Sequence, residues 1–112
     1  MSAERRQHER FELPAHVALV RGGQFEPFAT INISAGGILL RNDRNVTFEI
    51  GHTIHIGFDV PALAPAFVID AIIVRVIAPT NRPALLAAMW TSSDAAATGG
   101  LSQILWNLRK DP

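Results

Sequence analysis

Between residues 53 and 60 apolar and polar side chains alternate without a break: Ile54, Ile56, Phe58 and Val60 are interleaved with Thr53, His55, Gly57 and Asp59. A period of two puts each set on its own side of an extended chain, so this stretch is a strand with one face in a core and one in solvent. Once one such strand exists, the remaining apolar runs must supply its neighbours. Residues 15–21, with Val17, Leu19 and Val20, and residues 24–33 read as two strands joined at Gly22-Gly23, a pair suited to a tight hairpin turn. Pro27 lies inside the second and lacks the N–H of an interior ladder position, so the chain should be at an edge or a bulge there. Residues 37–41 form a short strand, a polar stretch at 42–45 reads as loop, and residues 84–91 make a last strand after the turn at Asn81-Arg82-Pro83.

Residues 67–77 carry Val, Ile and Phe on both faces, with only Asp70 and Arg75 charged. A strand of that kind needs cover on each side, from its own domain or from a second copy of the chain, so a homodimer is expected through it. Thr98 with Gly99-Gly100 offers a cap for a terminal helix over about residues 98–110. Leu101, Ile104, Leu105 and Leu108 recur at helical spacing and form its one apolar stripe, while Trp106 falls off the stripe and should be exposed. Six short strands and one amphipathic helix are the elements of an all-β dominated fold, a six-stranded antiparallel β-barrel with a C-terminal α-helix. Closure removes the unpaired edges that an open sheet would leave. At 112 residues there is material for one core, here residues 14–112, preceded by a polar flexible arm at 1–13 that ends before Pro14.

Composition excludes several functions. Ten basic and ten acidic side chains cancel, which leaves no broad basic surface for DNA. Few aromatics and neutral charge disfavour an RNA-binding barrel as well. With no cysteine there is no thiolate metal site, thiol nucleophile or disulfide framework. His52 and His55 are three apart, an odd spacing that sends strand side chains to opposite faces, and no third ligand stands near, so no metal is expected. Residues 1–12 contain no apolar core of a secretion signal and no later stretch has the length of a membrane span, so neither membrane insertion nor export is expected and the cytoplasm fits. Without export, the glycosylation-like triplets at Asn32 and Asn45 are idle. No pattern supplies Ser34 with a base and an orienting acid, so the chain is not read as an enzyme.

Two segments remain. The arm holds Arg5, Arg6 and Arg10, each with an acid nearby, so it is no polybasic tail. Guanidinium forks grip two acceptors at once and stack on flat rings, which suits a guanine edge or a phosphate. Such an arm by itself reads as a solvated surface. The second segment, Asn32-Ile33-Ser34-Ala35-Gly36-Gly37, puts two short hydrogen-bonding side chains two apart, on one face if extended, directly before a glycine pair. By itself it is equally a turn.

Together they resemble the PilZ family, in which Arg-x-x-x-Arg is followed about one hairpin later by Asp/Asn-x-Ser-x-x-Gly. Here these are Arg6-x-x-x-Arg10 and Asn32-x-Ser34-x-x-Gly37, with the less common Asn at position 32. The resemblance implies a six-stranded barrel with a C-terminal helix that binds the second messenger cyclic di-GMP and needs no cofactor. Arg6 and Arg10 would contact guanine edges and phosphates, Asn32 and Ser34 a guanine, and Gly36 and Gly37 would let the ligand approach the turn. Arg5, just before the first motif, implies an intercalated pair of ligands, two per chain. Ordering of the arm on binding would signal to a downstream protein. The competing reading keeps the barrel as a protein interaction module, using residues 67–77 and Trp106, with no nucleotide.

Overall fold

A computed structural model of the chain describes residues 9–13, 15–21, 23–43, 46–78 and 82–110. Six strands, β1 (His16–Arg21), β2 (Gln24–Ile33), β3 (Gly37–Asn42), β4 (Thr53–Phe58), β5 (Phe67–Ile77) and β6 (Ala84–Trp90), precede one helix, α1 (Ala95–Lys110). They close into a barrel in the order β1-β2-β3-β6-β5-β4, every pair antiparallel. Closure is made by β1 against β4, where Leu19 faces Ile56. The alternation read at 53–60 is the reason that pairing works: Ile54, Ile56 and Phe58 enter the core while Thr53 and His55 face out. Each strand contributes inward residues in this way, among them Leu19, Ile33, Leu40, Ile56, Ile73 and Leu86 at 0% exposure.

Pro27 pairs with Ala18 of β1, and β3 joins β2 only from Ala29 onward, so the missing N–H costs no ladder bond on the far side. The polar arm is not free along its whole length. Leu13 is buried in the core and Phe11 packs against it. The Phe11 N–H donates to the Ile33 carbonyl and the Ile33 N–H to the Phe11 carbonyl, each at 2.8 Å.

The helix begins earlier than Thr98. Asp94 is its cap, its Oδ2 accepting from the Ala97 N–H at 3.0 Å. Thr98 sits inside the first turns, its hydroxyl donating to the Asp94 carbonyl at 3.0 Å. Gly99 and Gly100 are therefore helical, and Gly100 has a packing reason: a Cβ there would come within 2.4 Å of the Phe67 ring. That ring is stacked on Phe58 at 4.9 Å, so α1 lies against β5 through an aromatic pair. Leu101 and Ile104 bury the apolar stripe, Leu105 and Leu108 extend it, and Trp106 stays 63% exposed. β5 has the two faces read from its sequence. Ile69, Ala71 and Ile73 fill the core, whereas Val68 and Val74 on the outer wall are exposed. No described helix is long and apolar enough to cross a membrane.

Candidate ligand-binding site

The site begins at an irregularity in β2. Phe28 points into the barrel, and regular alternation would send Thr30 and Asn32 after it. The pairing with β3 shifts between Thr30 and Asn32, and one extra residue reverses the alternation. Ile33 then fills the core opposite Ile38, and Asn32 turns outward opposite Leu39. A carboxamide that regular pairing would have buried is thereby delivered to the outer wall.

The next four residues turn into β3. The Ser34 N–H donates to the Gly37 carbonyl at 2.9 Å. The Ser34 Oγ accepts from the N–H groups of Gly36 and Gly37, both at 3.2 Å. These bonds occupy the acceptor side of the hydroxyl, and its O–H donates to the Gly37 carbonyl at 3.5 Å, a long bond that a ligand acceptor could replace. Trp90 fastens the turn to β6: its Nε1–H donates to the Ser34 carbonyl at 2.9 Å and its backbone N–H to the Gly36 carbonyl at 3.2 Å. The sequence marks Trp90 only as the end of a strand, since its partner lies far away along the chain.

Gly37 also has a packing reason. It is paired with Met89, and a Cβ built on it would sit 2.2 Å from the Ala88 carbonyl oxygen. Close contact between β3 and β6 by itself requires glycine there.

Arg10, Asn32, Ser34, Gly36 and Gly37 all line one groove, whose floor is made by Leu39 of β3, Ala87 and Met89 of β6 and Val74 of β5. Five of the seven residues singled out from the sequence are thus brought together; Arg5 and Arg6 lie outside the described residues. Arg10 is exposed and precedes the Phe11 bridge to Ile33, which anchors the chain beside the groove. Glu9, on the other side of Arg10, is 3.8 Å from Arg109 of α1, an exposed pair worth little by itself. The groove measures about 210 Å³, below the roughly 300 Å³ at which small-molecule pockets begin, so these residues supply a floor and an edge. A bound molecule would need a further segment to cover it.

The two histidines read as unsuited to a metal are engaged with carboxylates. His55 Nδ1 is 2.6 Å from Asp70 Oδ1 across β4 and β5, and His52 Nε2, which precedes β4, is 3.5 Å from Glu49. Among the described residues no three histidine, cysteine or acidic groups cluster.

A closed barrel with a C-terminal helix and a groove on its outer wall, edged by Arg10 and by the 34–37 turn, is the arrangement these residues build. The chain belongs to the PilZ domain family, whose model matches residues 4–97. No curated protein matches its sequence. Among solved structures it is similar to the Bacillus subtilis inhibitor of motility MotI/DgrA, with a TM-score of 0.73 at 17% identity over 96% of this chain and 53% of that one. It is also similar to the PilZ domain of Escherichia coli YcgR with c-di-GMP, with a TM-score of 0.72 at 15% identity over 96% of this chain and 93% of that one. The Klebsiella MrkH–c-di-GMP complex gives 0.71 at 20% identity, over 95% and 53%. The chain spans about half the length of the MotI/DgrA and MrkH chains it matches. At these identities the likeness is one of fold.

Proposed function

We propose that this domain is a non-enzymatic receptor for cyclic di-GMP. The observation that carries the proposal is the convergence of Arg10 with Asn32 and Ser34 on one outer groove, although they are distant in sequence and a bulge is needed to turn Asn32 outward. Two of the structures that share this fold contain c-di-GMP. In this reading the Asn32 carbonyl accepts from the guanine N1 and N2 donors, and the Ser34 hydroxyl exchanges its long bond to the Gly37 carbonyl for one to the same base. Arg10 takes a guanine edge or a phosphate, and Arg5 and Arg6 join it from the arm to cover a groove too shallow to enclose a nucleotide. Covering the groove fixes the arm against the wall, next to the Glu9 and Arg109 pair on α1, and the reordered surface is what a downstream protein in the cytoplasm reads. The exposed Val68 and Val76, on either side of the groove-lining Val74, leave β5 as the surface for a homodimer.

Calorimetry with cyclic di-GMP, with GTP and cyclic di-AMP as controls, tests the proposal. Micromolar binding of cyclic di-GMP alone is expected, with about two ligands per chain if Arg5 supports a stacked pair. Silence at micromolar ligand would sink the receptor reading and leave the protein interaction module. Arg10→Ala should weaken binding at least about tenfold, because a charge-assisted contact contributes about 1.5–3 kcal/mol.

A further inference from the structure

Neither sequence motif assigns a role to Arg75, yet β5 is built so as to place it on the wall that carries the groove. β5 and β6 pair regularly down to Ile73 opposite Ala88, and the register shifts before Arg75 opposite Ala87. Ile69, Ala71 and Ile73 point into the core, and uninterrupted alternation would send Arg75 in after them, where an unpaired guanidinium is prohibitively costly. The bulge reverses the alternation at that point, as bulges beside sites do. Arg75 thus joins the outer row of Ala87 and, through the pairing of Leu39 with Ala87, of Leu39. Leu39, Val74 and Ala87 are the groove's floor, so Arg75 stands on its β5 border while Arg10 stands on its β2 side.

Arg75 is exposed and has no ion pair or hydrogen bond with any described residue. Arg41, also on the outer face, is held by Asp43 at 2.9 Å. An arginine with no partner among the described residues, standing at the border of an apolar floor, leaves a fork of donors beside the groove for solvent or a ligand.

We infer that Arg75 is a second cationic anchor of this groove, taking one phosphodiester of a bound cyclic dinucleotide from the β5 side while Arg10 takes the other from the β2 side. The inference rests on the receptor reading. A cyclic dinucleotide carries two phosphodiesters on opposite sides of its ring, and Arg10 stands on one side of the groove only. β2 and β5 are three strand spacings apart, roughly 14 Å, a gap that two long arginine side chains reaching over the floor narrow to the width of such a ring.

The test is calorimetry of the full chain with cyclic di-GMP, comparing wild type with Arg75→Ala and with Arg82→Ala. Arg82 is exposed beyond the opposite end of β6, so its loss makes the same change in net charge away from the groove. Arg75→Ala should weaken binding about fivefold or more at low salt, with the deficit shrinking at high salt. Arg82→Ala should stay within about twofold of wild type. Melting of Arg75→Ala should match wild type, since the side chain packs against nothing that folding needs. Equal affinity of Arg75→Ala and wild type overturns the inference and leaves the receptor reading standing. Equal weakening by both substitutions also overturns it, as the effect is then one of net charge. Absence of binding by the wild-type chain overturns the receptor reading and this inference with it.

Discussion

Replacing Gly37 with alanine adds one methyl group at a point where the barrel wall has no room for it. The new carbon would lie 2.2 Å from the Ala88 carbonyl oxygen, 3.2 Å from its carbon and 3.4 Å from the Met89 Cα. All three are backbone atoms of β6, so no side chain can rotate away and the β3–β6 ladder itself must part. Overpacking of this kind costs about 1–3 kcal/mol. For 112 residues, at roughly 2.1 cal/mol/K of unfolding entropy per residue, each kcal/mol lowers Tm by about 4 °C. Gly37→Ala should therefore melt about 4–12 °C below wild type by circular dichroism. Gly99→Ala is the matched control, because Gly99 lies in α1 with nothing within 4 Å of an added Cβ. There the substitution removes backbone freedom from the unfolded chain and should raise Tm by about 2–4 °C, the effect of roughly 0.5–1 kcal/mol. A Gly37→Ala protein that melts within about 1 °C of wild type yet loses its ligand would refute the packing argument and return Gly37 to the role its motif implies.

Asp94→Ala removes the α1 cap and should cost about 1 kcal/mol, read as a drop of about 4 °C in Tm. Trp90→Phe keeps an aromatic ring near Phe58 but deletes the donor to the Ser34 carbonyl. It should cost about 1 kcal/mol and speed hydrogen exchange at the Ser34 and Gly37 amides; unchanged exchange there would mean that Trp90 does not hold the turn. Thr30 has a buried hydroxyl oxygen with no hydrogen-bond partner, so Thr30→Val should be neutral or stabilising by up to about 1 kcal/mol, and a clear loss in urea midpoint would point to a bond to water at that oxygen.

The strands were legible because the signals that define them are local. Val, Ile and Phe runs bounded by Gly22-Gly23, by residues 34–37 and by Pro61 and Pro65 leave little choice of element, and all six appear within a few residues of where their patterns place them. The start of α1 was less legible because two capping signals compete there. Thr98 before two glycines resembles a helix start, but Ser92-Ser93-Asp94 stands one turn earlier, and Asp94 caps because Ala97 must already be helical to reach the core at 1% exposure. The glycines that then fall inside the helix each cost about 1 kcal/mol relative to alanine, a penalty that the contact of Gly100 with Phe67 accounts for at one of them.

What the sequence hid is what makes the outer wall polar. Asn32 is even-numbered on the same strand as the buried Phe28, and Arg75 is odd-numbered on the same strand as the buried Ile73, so strict alternation condemns both to the core. Each is rescued by one extra residue, between Thr30 and Asn32 in β2 and between Ile73 and Arg75 in β5. A bulge leaves no local mark, because it is defined by the partner strand and not by the chain that carries it. The two irregularities also cannot be independent of closure. They lie in the strands that flank the β3–β6 pair, and each lets its strand bend and twist more tightly around that pair. The distortion that closes the barrel is thus the same distortion that turns an amide and a guanidinium outward on either side of the groove. A deletion of Ile31 takes out the extra residue itself, so Thr30 opposite Leu40 is followed at once by Asn32 opposite Leu39, and the variant should keep Asn32 on the outer wall while β2 loses its bend. Because the bulge lets β2 bend around the β3–β6 pair, the deletion should lower Tm, and a variant that melts with wild type would break the link between the bulge and closure of the barrel.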